Sequence, residues 1–368
     1  MDFGLSDEQR QLKDSARAFL AGKCLPAAVR TAMAGREGYP RELYAEIAKL
    51  GWNGIVVPEK FGGAGLGMLD LAMVLEEGGY AAMPGPFLFS SAIAANAIAL
   101  GGSDEMKAKW LPAIATGEAI GTVAIAEAAG GFDPRDLHAI ASKDDSGRRL
   151  DGIKMFVPYA HIADFIVVAA KQTGTPESGL YVAETKAAGV KSRVLQDLDL
   201  TRRVSVVEFD RAPVLALGGG DLFEKAIDIG AVAIAADSLG GMERALEMAV
   251  EYSKVREQFG RPIGSFQALK HAAAEIVAEL EPARALLWYA AHAIDSGASD
   301  ASRAASMAKS MLCGIYSRGT DRAVLMHGGI GFTWDHDLHL WFKRARFNES
   351  YFGSPQFHRE RIAALGNY

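Results

Sequence analysis

Apolar positions change their rhythm twice along this chain. From Ser6 to about Gly117 they recur three and four residues apart, as in Leu12, Ala16 and Phe19, which is the spacing of one helix face. Ser6-Asp7-Glu8-Gln9 predicts the first helix start, with the Ser6 hydroxyl as cap and Gln9 placed to reach back to it. Gly62-Gly63-Ala64-Gly65-Leu66-Gly67 reads as a loop, Leu69 to Glu77 resumes a helix, and Pro84-Gly85-Pro86 breaks the chain again.

Between Ile120 and about Pro213 the runs become short and rich in β-branched or aromatic residues. They are Val123-Ala124-Ile125-Ala126, Phe165 to Ala170, Gly179 to Ala183 and Val204 to Phe209. Turn signals bound them at Asp144-Asp145-Ser146-Gly147, Asp151-Gly152 and Thr173-Gly174-Thr175-Pro176. Strands this close, with no helices between them, predict an antiparallel sheet or barrel and not a βαβ fold. From Gly220 the helical spacing returns in long Ala-rich segments at 221–255, 265–297 and 299–326. Short joints such as Gly260-Arg261-Pro262-Ile263-Gly264 favour an up-down bundle, with apolar faces wide enough for subunit contacts.

A chain of 368 residues is more than one core usually holds, so two or three units are expected. The net charge of -6 argues against a nucleic-acid partner, which needs a basic stripe, and against an anionic membrane surface. Cys24 and Cys313 are far apart and make neither a disulfide framework nor a zinc site, which points to a reducing, cytoplasmic setting. No apolar stretch of about 18 residues free of charge and Gly predicts a membrane span. The polar Met1 to Arg10 carries no apolar run of the kind a signal peptide needs.

The most specific stretch is Arg256-Glu257-Gln258-Phe259-Gly260-Arg261-Pro262-Ile263-Gly264-Ser265-Phe266-Gln267. A helix ends in a basic turn, a Gly/Pro loop follows, and Ser265 stands where it can cap the next helix. The run closely resembles the Arg-x-x-Phe-Gly-x-x-Ile-x-x-x-Gln signature of acyl-CoA dehydrogenases. In that family the Arg and Gln sit at a subunit interface and reach the FAD of the neighbouring subunit. The resemblance makes Arg256, Phe259 and Gln267 cofactor residues, and a guanidinium suits a pyrophosphate through bidentate charge-assisted hydrogen bonds.

His327-Gly328-Gly329-Ile330-Gly331-Phe332 invites a dinucleotide-fold reading, but a helical segment precedes it and not a strand. It is better read as a glycine turn whose N–H groups approach a phosphate without an intervening Cβ. It is similar to the family's Gln-x-x-Gly-Gly-x-Gly-Phe, with Gly328 and Gly329 kept and Leu325 in place of Gln. Ala126-Glu127-Ala128-Ala129-Gly130-Gly131-Phe132-Asp133 resembles Thr-Glu-Pro-x-x-Gly-Ser-Asp, beside the flavin and the thioester. Ala126 and Ala128 replace Thr and Pro there, and Phe132 replaces Ser at the substrate end. Glu127 and Asp133 are read as structural. Gly152-x-Lys154-x-Phe156-Val157-Pro158 resembles Gly-x-Lys-x-Trp-Ile-Thr: Phe156 keeps an aromatic against the flavin and Pro158 loses the hydroxyl. Pro58-Glu59-x-Phe61-Gly62-Gly63 also matches.

The resemblance covers nearly the whole chain, in the family's order. It implies an α+β fold: an N-terminal helical domain (1–118), a middle antiparallel β-barrel domain (119–214) and a C-terminal four-helix-bundle domain (215–368) for FAD binding and oligomerisation. It also implies α,β-dehydrogenation of an acyl-CoA. A carboxylate base removes the α-proton in a dry pocket, and the acidifying hydrogen bonds fall on the thioester oxygen.

Both family positions for that base are empty. Phe352 stands at one, in Tyr351-Phe352-Gly353-Ser354-Pro355, and Gly230 at the other. The family's helix Asp is kept as Asp228, a substrate-side residue, but Ala231 stands where an Arg would follow. Asp228 and Glu349 are weak substitutes. Asp228 points about 200° away from Gly230 around a helix, and each is more simply a helix-terminus or interface carboxylate. His327, His336, His339 and His358 raise a metal only weakly, since no paired Cys or further ligand motif supports one. Three readings follow. The chain is a subunit whose homologous partner carries the Glu, a self-sufficient dimer or tetramer with a relocated base, or a flavin-free structural homologue. Retained Arg256, Gln267 and the Gly pair speak against the last. The resemblance further implies a bulky acyl-CoA, steroid or branched, and an electron-transfer flavoprotein as acceptor.

Overall fold

The computed structural model describes residues 4–128, 131–145, 147–175 and 177–366. Met1 to Phe3, Ala129, Gly130, Ser146, Pro176, Asn367 and Tyr368 lie outside these, and with them the middle of the Glu127–Asp133 segment and parts of two expected turns. In chain order come α1 (Asp7–Lys23), α2 (Pro26–Ala34), α3 (Arg41–Lys49), α4 (Met68–Tyr80), a π-helical stretch (Leu88–Ala94), α5 (Ala95–Gly101) and α6 (Asp104–Ala115). Strands β1 (Gly121–Ala124), β2 (Ile140–Asp144), β3 (Gly147–Pro158), β4 (Phe165–Gln172), β5 (Ser178–Glu184), β6 (Val190–Val194) and β7 (Val204–Ala216) follow. The remainder is α7 (Leu222–Val255), β8 (Glu257–Gln258), β9 (Arg261–Pro262), α8 (Gln267–Ser296), α9 (Ala301–His327), α10 (Leu338–Ser350) and α11 (Pro355–Leu365).

Helix starts follow local chemistry. Ser6 Oγ accepts from Gln9 N (3.2 Å) while Gln9 Oε1 accepts from Ser6 N (3.1 Å), the reciprocal cap that the spacing predicts. Ser103 and Ser354 cap α6 and α11 through their hydroxyls alone, which accept from Met106 N and Phe357 N. The expectation for Ser265 is corrected: a 3-10 turn takes up Ile263–Ser265, so the N-cap of α8 is Phe266, with no side-chain cap bond. No described helix is long and apolar enough to cross a membrane.

The chain forms two compact units, Met1–Thr31 with Ala72–Met83 and Ala231–Tyr368, and Ala32–Leu71 with Pro84–Gly230. The second holds the sheet. The path β4-β2-β3-β7-β5 returns to β4 and closes a barrel, and β6 pairs along β7 at 205–209. Most pairings are antiparallel, but β1 and β2 both run parallel to β4. The β2–β3 hairpin explains the second: the strand after a hairpin runs in the direction of the hairpin's first strand, and here it lies beside it. Ala124, Ala141, Leu150, Val157, Ile166, Val168, Tyr181 and Phe209 fill the interior. Phe165, Val167 and Ala169 are buried on the other face of β4, where Trp110 of α6 meets Phe165 at 4.5 Å. Burial on both faces is why 165–170 reads as an unbroken apolar run.

In the helical unit α8 and α9 pack together, and α10 and α11 both pack on α9. Helices α4 and α7 touch backbone to backbone. A Cβ on Gly240 would overlap the Glu76 carbonyl, and one on Gly79 the Asp237 carbonyl. Beside this crossing the fully buried carboxylates Glu76 and Glu77 are answered by Lys13 (2.8 Å to Glu76), Arg17 and Arg284. Buried carboxylates are tolerated only when they are paired in this way.

Candidate active site

In the β unit Ala126, Phe156 and Pro158 lie around one irregularity of β3. Its register with β7 breaks between Lys154 and Val157, and Phe156 takes a φ of 55°. A bulge of this kind re-aims a side chain, and the Phe156 ring is left 41% exposed on an otherwise buried strand end. Met155 N donates to Ala126 O (2.9 Å), which ties the bulge to the chain leaving β1. Ala126 and Phe132 are buried, as is Pro158, whose carbonyl accepts from the Thr122 hydroxyl.

Lys154 is fully buried. Its Nζ donates to Glu127 Oε1 (2.7 Å) and Ile125 O (2.9 Å), and Glu127 also accepts from His138 N (2.7 Å) and Ala139 N (2.9 Å). Burial pushes Lys154 down to about 8 against the pull of Glu127. At Glu127 burial pushes upward, but Lys154 and the two backbone donors prevail and hold the carboxylate below its ordinary range. Asp133 accepts from Arg135 N (2.8 Å) and shapes a surface turn. Asp228 and Gly230 lie buried on the first turns of α7.

The helical unit gathers a second set. After α7 the chain makes a tight hairpin in which Gln258 pairs with Arg261 around Phe259 and Gly260, at φ 54° and 76°. Two left-handed residues make a type I′ turn, where Asn or Gly is usual at the first position. Here Phe259 stands 91% exposed at the tip. Arg256 opens the hairpin; its carbonyl accepts from Ile263 N (2.8 Å), and its exposed guanidinium has no ion-pair partner among the described residues. Gln267 is the exposed first residue of α8.

The end of α9 is brought to the same place. His327 stacks on Tyr252 of α7 (4.6 Å), and Met326 shares a cavity of about 380 Å³ with Val250, Lys254, Pro262 and Leu269. Leu325 is 78% exposed there. At Gly328, φ 67°, and at Gly329 a Cβ would meet nothing within 4 Å, so their backbone lies open to a ligand. Among the described residues no three His, Cys, Asp or Glu side chains converge as a metal site. His327 Nδ1 instead meets Ala323 O (2.7 Å), and His339 packs on Trp334.

Phe352 is fully buried at φ 58°, and its carbonyl accepts from His358 Nε2 (2.7 Å). The buried Lys309 Nζ donates to Asn348 O (2.9 Å) and Gly353 O (2.8 Å), fixing the segment on both sides. Glu349 accepts from Ser317 Oγ (2.8 Å) and faces Arg346 at 3.5 Å. Lys309, its partners and the His327–Tyr252 stack were not singled out from sequence. A lysine in an Ala-rich helix carries no mark of burial, and stacking across helices leaves no local spacing to read.

The barrel unit thus carries the aromatic bulge, and the helical unit the basic hairpin and the open glycine turn. Residues 6–118 match the acyl-CoA dehydrogenase N-terminal domain and residues 218–365 the C-terminal domain, and the chain belongs to the acyl-CoA dehydrogenase family. Members of this family use FAD. The chain is 32% identical over 361 residues to the acyl-CoA dehydrogenase IpdE2 of Mycolicibacterium smegmatis, covering 98% of this chain and 99% of that one. Among solved structures it is similar to the Tcur3481-Tcur3483 steroid ACAD G363A variant, at 30% identity, TM-score 0.92 and 98% coverage of both chains. It is also similar to the ChsE4-ChsE5 complex from Mycobacterium tuberculosis, at 27% identity, TM-score 0.92 and coverage of 100% and 99%.

Proposed function

We propose that this chain is one subunit of a mixed acyl-CoA dehydrogenase, completing a flavin site while a homologous partner supplies the catalytic carboxylate. The observation that carries the proposal is Phe352: an apolar ring, fully buried, at the position where the family's base stands. Glu349, its nearest substitute in sequence, is engaged with Ser317 and Arg346. The similar structures named for two chains support the mixed assembly.

The residues present fit FAD at its phosphate end. Arg256 offers a guanidinium exposed and without an ion pair among the described residues for a pyrophosphate held by a neighbouring subunit, Gln267 offers an amide, and Gly328 and Gly329 offer open backbone N–H groups. Toward the ring, Phe156 gives an exposed aromatic platform, whereas Ala126 and Pro158 have no hydroxyl to donate. Bound FAD supplies the acceptor for the hydride that leaves the β-carbon. This chain's share is to bind and orient the cofactor, while the partner's carboxylate takes the α-proton. Phe132 fills the expected thioester end with apolar volume. The resemblance to a steroid enzyme favours a bulky acyl-CoA, steroid or branched, with an electron-transfer flavoprotein as acceptor in the cytoplasm.

The test is turnover with an artificial electron acceptor. The chain purified alone is expected to be inactive, since general-base catalysis supplies about 10²–10⁴-fold. Co-expression with a Glu-bearing homologue is expected to restore turnover, and loss of that homologue's Glu to abolish it. Robust turnover by this chain alone that disappears in Asp228→Asn or Glu349→Gln overturns the proposal in favour of a relocated base.

A further inference from the structure

Both hydrogen bonds of the buried Lys154 fall on one short piece of chain. Its Nζ bonds the Ile125 carbonyl and the Glu127 carboxylate, one on each side of Ala126. Ala126 O in turn accepts from Met155 N, the residue between Lys154 and Phe156. Residues 125–127 and 154–156 are therefore laced together at three points. The lacing sits where β3 falls out of register with β7, so the ladder does not hold the backbone of residues 155 and 156. Phe156 there takes a left-handed φ, which is unfavourable for any residue with a Cβ and persists only where its surroundings impose it.

We infer that Lys154 is a positioning residue: with Glu127 it holds the Ala126 strand exit and the Phe156 bulge in the shape that receives the flavin ring. The inference rests on the flavin reading above and extends it to two residues that touch no flavin themselves. From sequence alone Glu127 reads as structural and Lys154 has no role. The geometry gives them one joint task.

The clamp depends on charge. Glu127 faces Lys154 from the chain after β1; on its other side Glu127 meets, among the described residues, the backbone N–H groups of His138 and Ala139, and the His138 side chain is exposed. Burial lowers Lys154 to about 8, so the ammonium is present at neutral pH and is lost in mild alkali. Flavin affinity should fall as that proton leaves.

The experiment compares the holoprotein, purified with its partner subunit where the complex requires it, with Lys154→Met and Glu127→Gln. FAD dissociation is followed from about pH 7 to about pH 9.5, with the flavin visible spectrum and the amide exchange rate of Met155 in the flavin-stripped protein. Lys154→Met is expected to weaken FAD about tenfold or more at neutral pH, alter the flavin spectrum and speed Met155 exchange by a similar factor. Its FAD affinity should then be nearly flat with pH, whereas the unmodified protein loses affinity through about pH 8. Glu127→Gln keeps an acceptor but removes the charge that holds the proton, so the midpoint should move to lower pH; this variant decides the matter if Lys154→Met does not fold. Unchanged FAD affinity, spectrum and Met155 exchange in Lys154→Met, or an unchanged midpoint in Glu127→Gln, overturns the inference. A protein that takes up no FAD under any condition sinks the flavin reading instead. The Met155 exchange rate needs no flavin and still decides whether the clamp exists.

Discussion

Arg256 and His358 owe their behaviour to opposite surroundings. Arg256 is exposed and answered by no carboxylate among the described residues, so its removal should cost the fold little. Arg256→Ala is expected to lose about 1.5–3 kcal/mol of FAD binding, tenfold or more, with helical circular dichroism nearly unchanged. Undiminished flavin content in the purified variant would count against its role. His358 is buried; desolvation, with the nearby Lys309 charge, pushes it down to about 3 from an ordinary 6.5. Between those values the unfolded chain takes up a proton that the folded chain refuses. Its stabilising contribution is therefore intact above about pH 6.5 and falls with decreasing pH by about 1.4 kcal/mol per unit. His339, pushed down to about 4, adds in the same sense. Denaturant melts at about pH 7 and pH 5 should show a smaller pH penalty in His358→Gln; an equal penalty refutes the assignment.

The β8–β9 hairpin spends stability on exposure: Phe259 holds a left-handed φ at the turn position where Asn is at ease. Phe259→Asn is expected to raise stability by about 1 kcal/mol while lowering flavin content or assembly. Gain or loss of both together would show that the strain has no functional counterpart. Gly240→Ala should act oppositely, prying α4 from α7 at the top of the roughly 1–3 kcal/mol range for overpacking, measured as a lower denaturation midpoint. These elements also mark how far the sequence was legible. Helices and strands with clear period and local caps, such as the Ser6 box and the run 165–170, could be read directly. The Arg256–Gln267 run was legible as a signature but not as a hairpin, because two-residue strands carry no period; that hairpin and its 3-10 turn took Ser265 away from its expected cap. The Phe156 bulge and the parallel partners of β4 depend on pairing between distant segments, which no local spacing encodes.

Assembly belongs to the whole molecule. Val255, Phe259, Leu325, Phe332 and Trp334 are all exposed in the stretches that close or follow α7 and α9, apolar side chains of the kind a subunit contact covers. A dimer or tetramer, of like or unlike chains, is expected. Light scattering that shows a monodisperse 39.2 kDa species holding FAD tightly would exclude it. A different consequence follows from how the helical unit is composed. Its residues come from the two ends of the chain and a twelve-residue piece between, whereas the barrel unit is complete by Gly230. During synthesis the barrel can close while the ribosome is still adding α8 and α9. Until α8 emerges α1 and α4 must wait, with Glu76 lacking Arg284. The nascent helical unit therefore has the long delay of a high-contact-order fold, and a ribosome stalled before residue 284 should display α1 and α4 to chaperones and proteases while its barrel already resists them.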